Sequence, residues 1–325
     1  MTRKRALSVG IRVVAIAAVA AALWWFIRKM DFGALWESLK TAKVWPLVLA
    51  AALNWVCLWG KAACWRVMLA PRFTISTMRL FRYTIAAFAA SAVAPARAGE
   101  VYRVWTLKRR DGVPPADSAA VAVAEKLLDG VSMLLLVAPV PFLLPGLPAW
   151  VVWSILGCAA IAITLFVVLY ILSGRTQPEG TAPSLVRQFF AGMHVLRSPK
   201  RLVQSIAWLL LVWAADLAAV MSVLYAIDVD IPVAGGLLVL FTLNVAITVP
   251  STPAQVGALE VGALAGLALL HVPEAKGAAF AVLYHALQVI PLIIAGLVLE
   301  RRTMFGGEAA PAEATPSDDR PQRAA

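Results

Sequence analysis

The stretch that decides the fold is APARAGEVYR, Ala94–Arg103, because a membrane helix enters it and cannot continue. The apolar run before it, Thr84–Ala94, is eleven residues long, whereas a helix that crosses a bilayer needs about 20 apolar residues. The stretch itself holds a proline, two arginines, a glycine and a glutamate, and such charges are costly in lipid. The sequence therefore predicts a chain that dips into the membrane and breaks there.

The composition is that of a membrane protein. Of the 325 residues, 61 % are hydrophobic and 14 % are charged, and the mean hydropathy is +0.81. A water-soluble domain could not cover such a core with the polar surface that remains. No segment is long and polar enough to form a soluble catalytic domain, so the composition excludes a soluble enzyme.

The net charge and the cysteines argue against two kinds of partner. The charge of +11 is compatible with nucleic acid binding, but the basic residues cluster at the predicted membrane borders. Topology and anionic lipid headgroups explain them better, so we predict no nucleic acid partner. The three cysteines lie in apolar stretches without a CxxC pair, which favours neither a disulfide framework nor a zinc site. No metal or cofactor is predicted.

Hydropathy predicts six membrane-spanning helices and two shorter segments that enter the membrane without an ordinary exit. The six spans are roughly Val9–Ile27, Val44–Met68, Ala116–Val140, Trp150–Leu172, Leu202–Ala226 and Gly277–Leu299. The two shorter segments are Thr77–Ala94 and Pro232–Val249, and the second resumes as Gly257–Leu270 after a Pro-Ser-Thr-Pro break. We therefore predict an all-α membrane protein with six transmembrane helices and two re-entrant helical hairpins. Residues 1–302 would form the membrane domain, and residues 303–325 a disordered cytoplasmic tail.

The distribution of basic residues predicts the orientation in the membrane. Suppose that the N-terminus is cytoplasmic and that both dips return to the side from which they entered. Of the 29 Lys and Arg residues, 22 then face the cytoplasm and five face outward, while Lys61 and Lys126 lie within spans. This bias predicts a multi-pass protein of the bacterial inner membrane with both termini in the cytoplasm.

An internal repeat relates the two breaks. Pro95 and Gly99 in the first break lie 158 positions before Pro253 and Gly257 in the second. Each half, about residues 9–140 and 150–299, reads as span, span, dip and span, and the halves begin on opposite sides of the membrane. Inverted repeats with interrupted helices are typical of transporters. The prolines are predicted to break the helices, and the glycines to allow close approach or an unusual turn.

Three charged residues at the first break are candidates for binding a lipid headgroup. Glu100 and Arg103 share a helix face, and Arg97 lies one turn earlier. A guanidinium group presents a planar fork of donors that suits phosphate, which predicts a headgroup site entered from the cytoplasmic side. The alternative is a structural ion pair that holds the hairpin together.

Further polar residues lie within the predicted spans. Glu125, Lys126 and Asp129 must face the bundle interior, either as partners of an arginine, as proton-coupling carboxylates or as a structural ion pair. Their counterparts in the second half are Glu260, Tyr284, His285 and Gln288, although a histidine in a polar bundle core is more often only hydrogen-bonded. Four other polar residues are expected only to form hydrogen bonds between helices: Asn54, Lys61, Asp216 and Asn244.

Enzyme signatures are missing from the sequence. It has no H-E-x-x-H, G-x-S-x-G or P-loop motif and no paired-carboxylate metal site, so we predict that the protein is not an enzyme. We predict a lipid translocator of the inner membrane, and two other classes stay open. One is a non-catalytic membrane subunit that anchors a lipid-modifying or glycosyl-transferring enzyme, and the other is a membrane-embedded transferase that acts on a lipid phosphate.

Three short motifs resemble a known family. PARAGEVYR at residues 95–103, AEKLLD at residues 124–129 and PAQVGALE at residues 253–260 are similar to the lysylphosphatidylglycerol synthase transmembrane family, also called flippase-like. The resemblance covers about residues 10–300. Two positions depart from the family pattern: Lys126 stands where an arginine is usual, and the third motif lacks a pair of glycines.

The resemblance implies a lipid substrate. In the synthases of this family a membrane part moves aminoacylated phospholipid across the bilayer, and a separate soluble domain transfers the amino acid from tRNA. Nothing in this sequence corresponds to that soluble domain, so aminoacyl transfer is not expected. Stand-alone relatives are associated with glycolipid, polyprenyl-phosphate and hopanoid pathways. We therefore expect membrane lipids with anionic headgroups as partners, and an enzyme partner if the protein is an anchoring subunit.

Overall fold

The computed structural model describes residues 32–70, 72–93, 98–174, 184–248 and 253–304, and their regular structure is helical throughout. The helices are α1 Phe32–Lys40, α2 Val44–Leu69, α3 Thr77–Val93, α4 Ala98–Asp111, α5 Pro115–Val137, α6 Val140–Leu143, α7 Ala149–Gly174, α8 Ser184–Gly192, α9 Pro199–Ala226, α10 Val233–Ile247, α11 Ala258–Leu269 and α12 Glu274–Met304. Two 3₁₀ turns, Met193–Arg197 and Pro253–Gln255, precede α9 and α11.

Four of the helices are long and apolar enough to cross a membrane: α2, α7, α9 and α12. They match four of the six predicted spans, and the protein is a multi-pass, all-helical membrane protein. The predicted span Val9–Ile27 lies outside the described residues. The predicted span Ala116–Val140 corresponds to α5, which has 23 residues but carries several charged side chains. The predicted tail lies outside the described residues, apart from the end of α12.

The surface of α7 identifies the side of the protein that faces lipid. In the most apolar stretch of α7, only 6 % of the residues are buried inside the protein. Large apolar side chains such as Trp153 and Ile161 are exposed along this helix. The helices α2 and α9 make the most extensive helix contact among the described residues. Gly60 of α2 packs directly against Val212 of α9 there. The buried core therefore lies around the α2–α9 pair, and α7 lies at its edge.

Two antiparallel helical hairpins pack against this core. In the first, formed by α3 and α4, contacts run in opposite order along the two helices, from Ser91 with Gly99 to Arg79 with Asp111. In the second, formed by α10 and α11, Gly262 packs against Thr242. With 14 residues in α4 and 12 in α11, these arms are about 21 and 18 Å long, shorter than the roughly 30 Å hydrocarbon core of a bilayer.

The turn of the second hairpin approaches the first hairpin. The 3₁₀ turn Pro253–Gln255 of the second hairpin contacts α3 of the first. Gly99 allows α4 to approach α3 closely, because a Cβ atom at this position would overlap the carbonyl oxygen of Ala87. Polar residues near the breaks are thus brought together in the interior of the protein, between the hairpins and the α2–α9 core.

Candidate functional site

The acidic residue Glu125 of α5 is bound from two other helices. Trp65 of α2 donates its indole N–H to Glu125 Oε2 at 2.6 Å, and Arg103 Nη1 of α4 lies 3.4 Å from the same oxygen. The Arg103 guanidinium also stacks over the Trp65 ring, at 3.8 Å from the ring centroid. Arg103 and Glu125 are each 5 % exposed, so the guanidinium is buried and occupied by the protein's own carboxylate.

A second ion pair completes this cluster. Lys61 Nζ of α2 lies 2.7 Å from Asp129 Oδ2 and 3.7 Å from Glu125 Oε1. Arg103 Nη2 donates to Thr84 Oγ1 at 2.5 Å, which ties the first hairpin to the same cluster. Two cations and two carboxylates therefore compensate each other among α2, α4 and α5. Compensation of this kind allows charges to persist at membrane depth.

Lys126 behaves differently from these buried cations. Its ammonium nitrogen lies 3.6 Å from Glu100 Oε1, and the two side chains are 53 % and 46 % exposed. The predicted trio at the first break is thus divided: Arg103 is buried, Glu100 is at the surface of a cavity next to Lys126, and Arg97 lies outside the described residues, as does Pro95. The spacing of charged residues within α4 did not indicate that Lys126 of α5 would be the partner of Glu100.

The second break is held by a histidine–glutamate pair. His285 Nδ1 of α12 lies 2.5 Å from Glu260 Oε1, and Nε2 lies 2.9 Å from the carbonyl oxygen of Ala254. Glu260 Oε2 accepts the backbone N–H of Gly257 at 2.6 Å. Because both ring nitrogens face oxygen acceptors, His285 donates from Nε2 and shares a proton with Glu260 at Nδ1. The pair clamps the turn to α11 and α12.

The backbone of this turn is unusual. Ala254, Gln255 and Gly257 have φ values of 53°, 64° and 90°, in the left-handed region. Gly257 occupies such a conformation without steric cost, whereas Ala254 and Gln255 are strained there. Pro253, predicted as a hinge, begins the turn. The contacts of Glu260 and His285 therefore hold a strained segment in place.

A third polar group joins two predicted counterparts of the α5 charges, Tyr284 and Gln288, to an aspartate that was not predicted to be functional. Asp216 of α9 accepts a hydrogen bond from Tyr284 at 2.6 Å and one from Gln288 at 3.4 Å, both at Oδ1. Sequence reasoning assigned Asp216 only to hydrogen bonding between helices. The available signal was an acidic residue within an apolar span, a position where ionisable residues are commonly functional.

These groups surround two adjoining cavities of about 400 and 270 Å³. The larger is lined by Glu100, Arg103 and Glu125, and the smaller by Lys61 and Asp216. Both are lined by Phe88, Ser91, Lys126, Asp129, Trp213, Asn244, Ile247 and Gln255. We call the two together the central cavity. It lies between the two hairpins, and its lining comes from both halves of the chain.

A comparison with protein families identifies the chain at this point. The family described as the lysylphosphatidylglycerol synthase TM region matches residues 12–296. The chain belongs to this family. No curated protein sequence matches it.

In this member of the lysylphosphatidylglycerol synthase TM family, the three sequence motifs converge in space. The first contributes Gly99, Glu100 and Arg103, and the second contributes Glu125, Lys126 and Asp129. The third forms the turn and α11, from which Gln255 reaches the central cavity. The resemblance noted from these motifs is confirmed by the family match, and their common location makes the central cavity the candidate site.

Proposed function

We propose that this protein is a lipid translocator of the bacterial inner membrane. It moves a lipid with an anionic headgroup, such as a phospholipid, a glycolipid or a polyprenyl phosphate, and it is not an enzyme. The observation that carries the proposal is the position of Lys126, a half-exposed cation in the central cavity, between two interrupted hairpins. Family membership supports a role in lipid modification or transport.

The arrangement of the helices supports two inverted halves. Adding 158 to the bounds of α4 gives 256–269, close to Ala258–Leu269 of α11. Adding 158 to the bounds of α5 gives 273–295, which coincides with the first part of α12. In this reading α5 is a true span, because its carboxylates are paired with Lys61 and Arg103. The six spans then comprise three in each half, and the hairpins are re-entrant. Both termini lie in the cytoplasm.

The charges of the cavity support an anionic headgroup. Lys61 and Arg103 are bonded to Asp129 and Glu125, so their charge is already compensated. Lys126 faces Glu100 at 3.6 Å, a loose contact between half-exposed groups that costs little to exchange. A phosphate near Lys126 would gain a charge-assisted hydrogen bond. We therefore assign headgroup binding to Lys126, with Glu100 beside it and Arg103 and Glu125 as positioning residues.

Movement of the lipid requires the hairpins to separate alternately. The second-hairpin turn contacts α3, and the cavity lies beside this contact. Release of the turn held by Glu260 and His285 would open one side, and displacement of α4, which carries Glu100, would open the other. Rocking of one repeat against the other around a central site is the mechanism used by inverted-repeat transporters. Transport would run downhill or be coupled to an ion gradient.

The test is headgroup-labelled lipid movement in proteoliposomes. Lipids whose headgroup fluorophore is quenched by external dithionite would be reconstituted with wild type, Lys126→Ala, Lys126→Arg and Lys40→Ala. We expect wild type to exceed protein-free vesicles and Lys126→Ala to be slower by about tenfold or more, since one charge-assisted bond is lost. Lys126→Arg should keep activity, because it retains the charge.

Lys40→Ala is the matched control, since it removes a lysine that pairs with Glu37 on α1, away from the cavity. Equal rates for Lys126→Ala and wild type would contradict the assignment of the site. No movement of anionic phospholipids or polyprenyl phosphates above protein-free vesicles would contradict translocation, and would favour the anchoring subunit instead.

A further inference from the structure

Asp216 forms no ion pair with any of the described residues. Glu125 and Asp129 each pair with an arginine or a lysine, and Glu260 pairs with His285. Within the same part of the chain, Asp216 receives hydrogen bonds only from Tyr284 and Gln288, and no lysine, arginine or histidine pairs with it. Lys61, which lines the same cavity, is bonded to Asp129 instead.

An ionised carboxylate without a partner is expensive in this position. Asp216 lies within α9, a candidate membrane span whose most apolar stretch has a mean hydropathy of 2.1. Burial of an isolated charge is avoided in proteins by pairing, by ion binding or by protonation. Asp216 lines the smaller cavity, and both of its hydrogen-bonded contacts are made by Oδ1. Its other oxygen, Oδ2, accepts no hydrogen bond from the described residues and is therefore available to a ligand in the cavity.

Three amide side chains line the same cavity, those of Asn54, Asn244 and Gln288. The amide nitrogen of Asn54 donates to the carbonyl oxygen of Gln288 at 3.3 Å, and that of Asn244 donates to the carbonyl oxygen of Leu240 at 2.9 Å. The amide nitrogen of Gln288 donates to Asp216. Carbonyl and carboxylate oxygens can only accept, so these contacts fix which end of each amide is nitrogen. Among the described residues, none of the three amide oxygens has a donor.

We propose that the central cavity contains a binding site for a monovalent cation, formed by Asp216 Oδ2 and the amide oxygens of Asn54, Asn244 and Gln288. One carboxylate balances one positive charge, and neutral oxygens suit a hard cation such as sodium or the ammonium group of an organic amine. A divalent ion would need further carboxylates. Cys57 also lines the smaller cavity, but its thiol donates a hydrogen bond to the carbonyl oxygen of Val212. Binding of a soft metal ion is therefore not favoured.

The site is separate from Lys126 but shares a wall with it. Lys126 and Asp216 both line the smaller cavity, so a cation at Asp216 adds positive charge to the space that Lys126 faces. A bound cation therefore strengthens the binding of an anion there, and by linkage the anion strengthens the binding of the cation. This coupling rests on the proposed lipid function, whereas the cation site itself rests only on the cavity.

The experiment measures cation-dependent stability of the purified protein in detergent. Thermal unfolding would be recorded at mildly alkaline pH and constant ionic strength, with sodium, potassium or methylammonium chloride replacing the bulky cation N-methylglucamine. Because a ligand that binds only the folded state stabilises it, we expect Tm to rise saturably by about a few degrees with a small cation. Asp216→Asn should lose this rise, and the exposed-surface control Glu37→Gln should keep it.

The choice of cations distinguishes an inorganic ion from an organic ammonium group as the ligand of the site. Saturation by sodium or potassium would assign the site to an inorganic ion, and saturation by methylammonium alone would assign it to an ammonium group such as that of a headgroup. Both results support the site. Identical melting curves in all four salts would mean that Asp216 is neutralised by a proton, and would overturn the proposal whether or not the protein moves lipid.

A second variant guards against loss of folding in Asp216→Asn. Gln288→Leu keeps the carboxylate and removes one amide oxygen, so the half-saturating cation concentration should rise about tenfold, as expected for the loss of one ligand contact worth about 1.4 kcal/mol. Tyr284→Phe keeps all four proposed oxygen ligands and should still respond. An unchanged half-saturating concentration in Gln288→Leu, or a cation response in Asp216→Asn equal to that of wild type, would overturn the assignment.

Discussion

The ammonium nitrogen of Lys61 on α2 lies 2.7 Å from Oδ2 of Asp129 on α5, although the two residues are far apart in the chain. The side chains are 14 % and 15 % exposed, so water contributes little to their solvation. Together with Arg103 and Glu125, they form a compensated cluster at the wall of the central cavity. The pair therefore ties α5 to the α2–α9 core while leaving Lys126, three residues before Asp129, to face the cavity.

Replacing Lys61 should destabilise the protein strongly. Lys61→Met keeps the length of the side chain but leaves Asp129 buried without its cation, which typically costs about 3–5 kcal/mol. Thermal unfolding in detergent measures the change. Adding Asp129→Asn to this variant should recover part of the loss, because the uncompensated charge is then removed.

Lys40→Met is the control for the Lys61 substitution. Lys40 pairs with Glu37 at 3.4 Å, but both side chains are more than half exposed, so loss of the pair should change stability by less than about 0.5 kcal/mol. Equal melting temperatures for Lys61→Met and Lys40→Met would contradict a structural role for the Lys61–Asp129 pair.

The first hairpin should depend on the absence of a side chain at Gly99. A Cβ atom there would overlap the carbonyl oxygen of Ala87 and the hydroxyl of Ser91, which also accepts the Gly99 N–H at 3.0 Å. Gly99→Ala should force α3 and α4 apart and destabilise the protein by about 1–3 kcal/mol. The melting temperature and protease resistance of the purified variant provide the measurement.

Gly130→Ala is the matched comparison within α5. A Cβ atom at Gly130 meets no heavy atom within 4 Å, so the substitution should be neutral or should stabilise the helix by about 0.4–1 kcal/mol. A Gly99→Ala variant as stable as Gly130→Ala would mean that α3 and α4 do not approach each other as closely as described.

The pair between Lys43 and Asp228 should make a small, pH-dependent contribution. The two residues join the start of α2 to the end of α9, at 2.5 Å between Nζ and Oδ1, outside the spans. The hydrogen bond from Lys43 lowers the pKa of Asp228 below its ordinary value. Stability from the pair is therefore present above the ordinary pKa of an aspartate and is lost as the pH falls through the lowered value.

The pH dependence can be measured by comparing wild type with Asp228→Asn. The difference in melting temperature should be small at neutral pH, because both groups are solvent-exposed, and should vanish in acid and at high salt. A difference that grew as the pH fell would have the wrong sign for a carboxylate with a lowered pKa.

Much of the fold was predictable because its signals are local. Four predicted spans correspond to α2, α7, α9 and α12, since about 20 consecutive apolar residues suffice to define such a helix. Both breaks were placed correctly at the level of the helices, because proline and glycine act on their own turn of backbone: α3 ends at Val93, and α10 ends at Ile247. The resemblance to the family rested on short motifs at and near these breaks, and the family match over residues 12–296 confirms it.

The sequence by itself determined the membrane class, the helix order and the positions of charged residues along the helices, because these depend on residue type and local spacing. Only the tertiary structure decided which charges pair. It joins Arg103 to Glu125, brings Lys126 beside Glu100, and leaves Asp216 with hydrogen-bond donors but no described cationic partner. Such pairing depends on how each helix is rotated and where it crosses its neighbours. A contact such as that of Lys61 with Asp129 is made by packing among helices, and no local pattern encodes it.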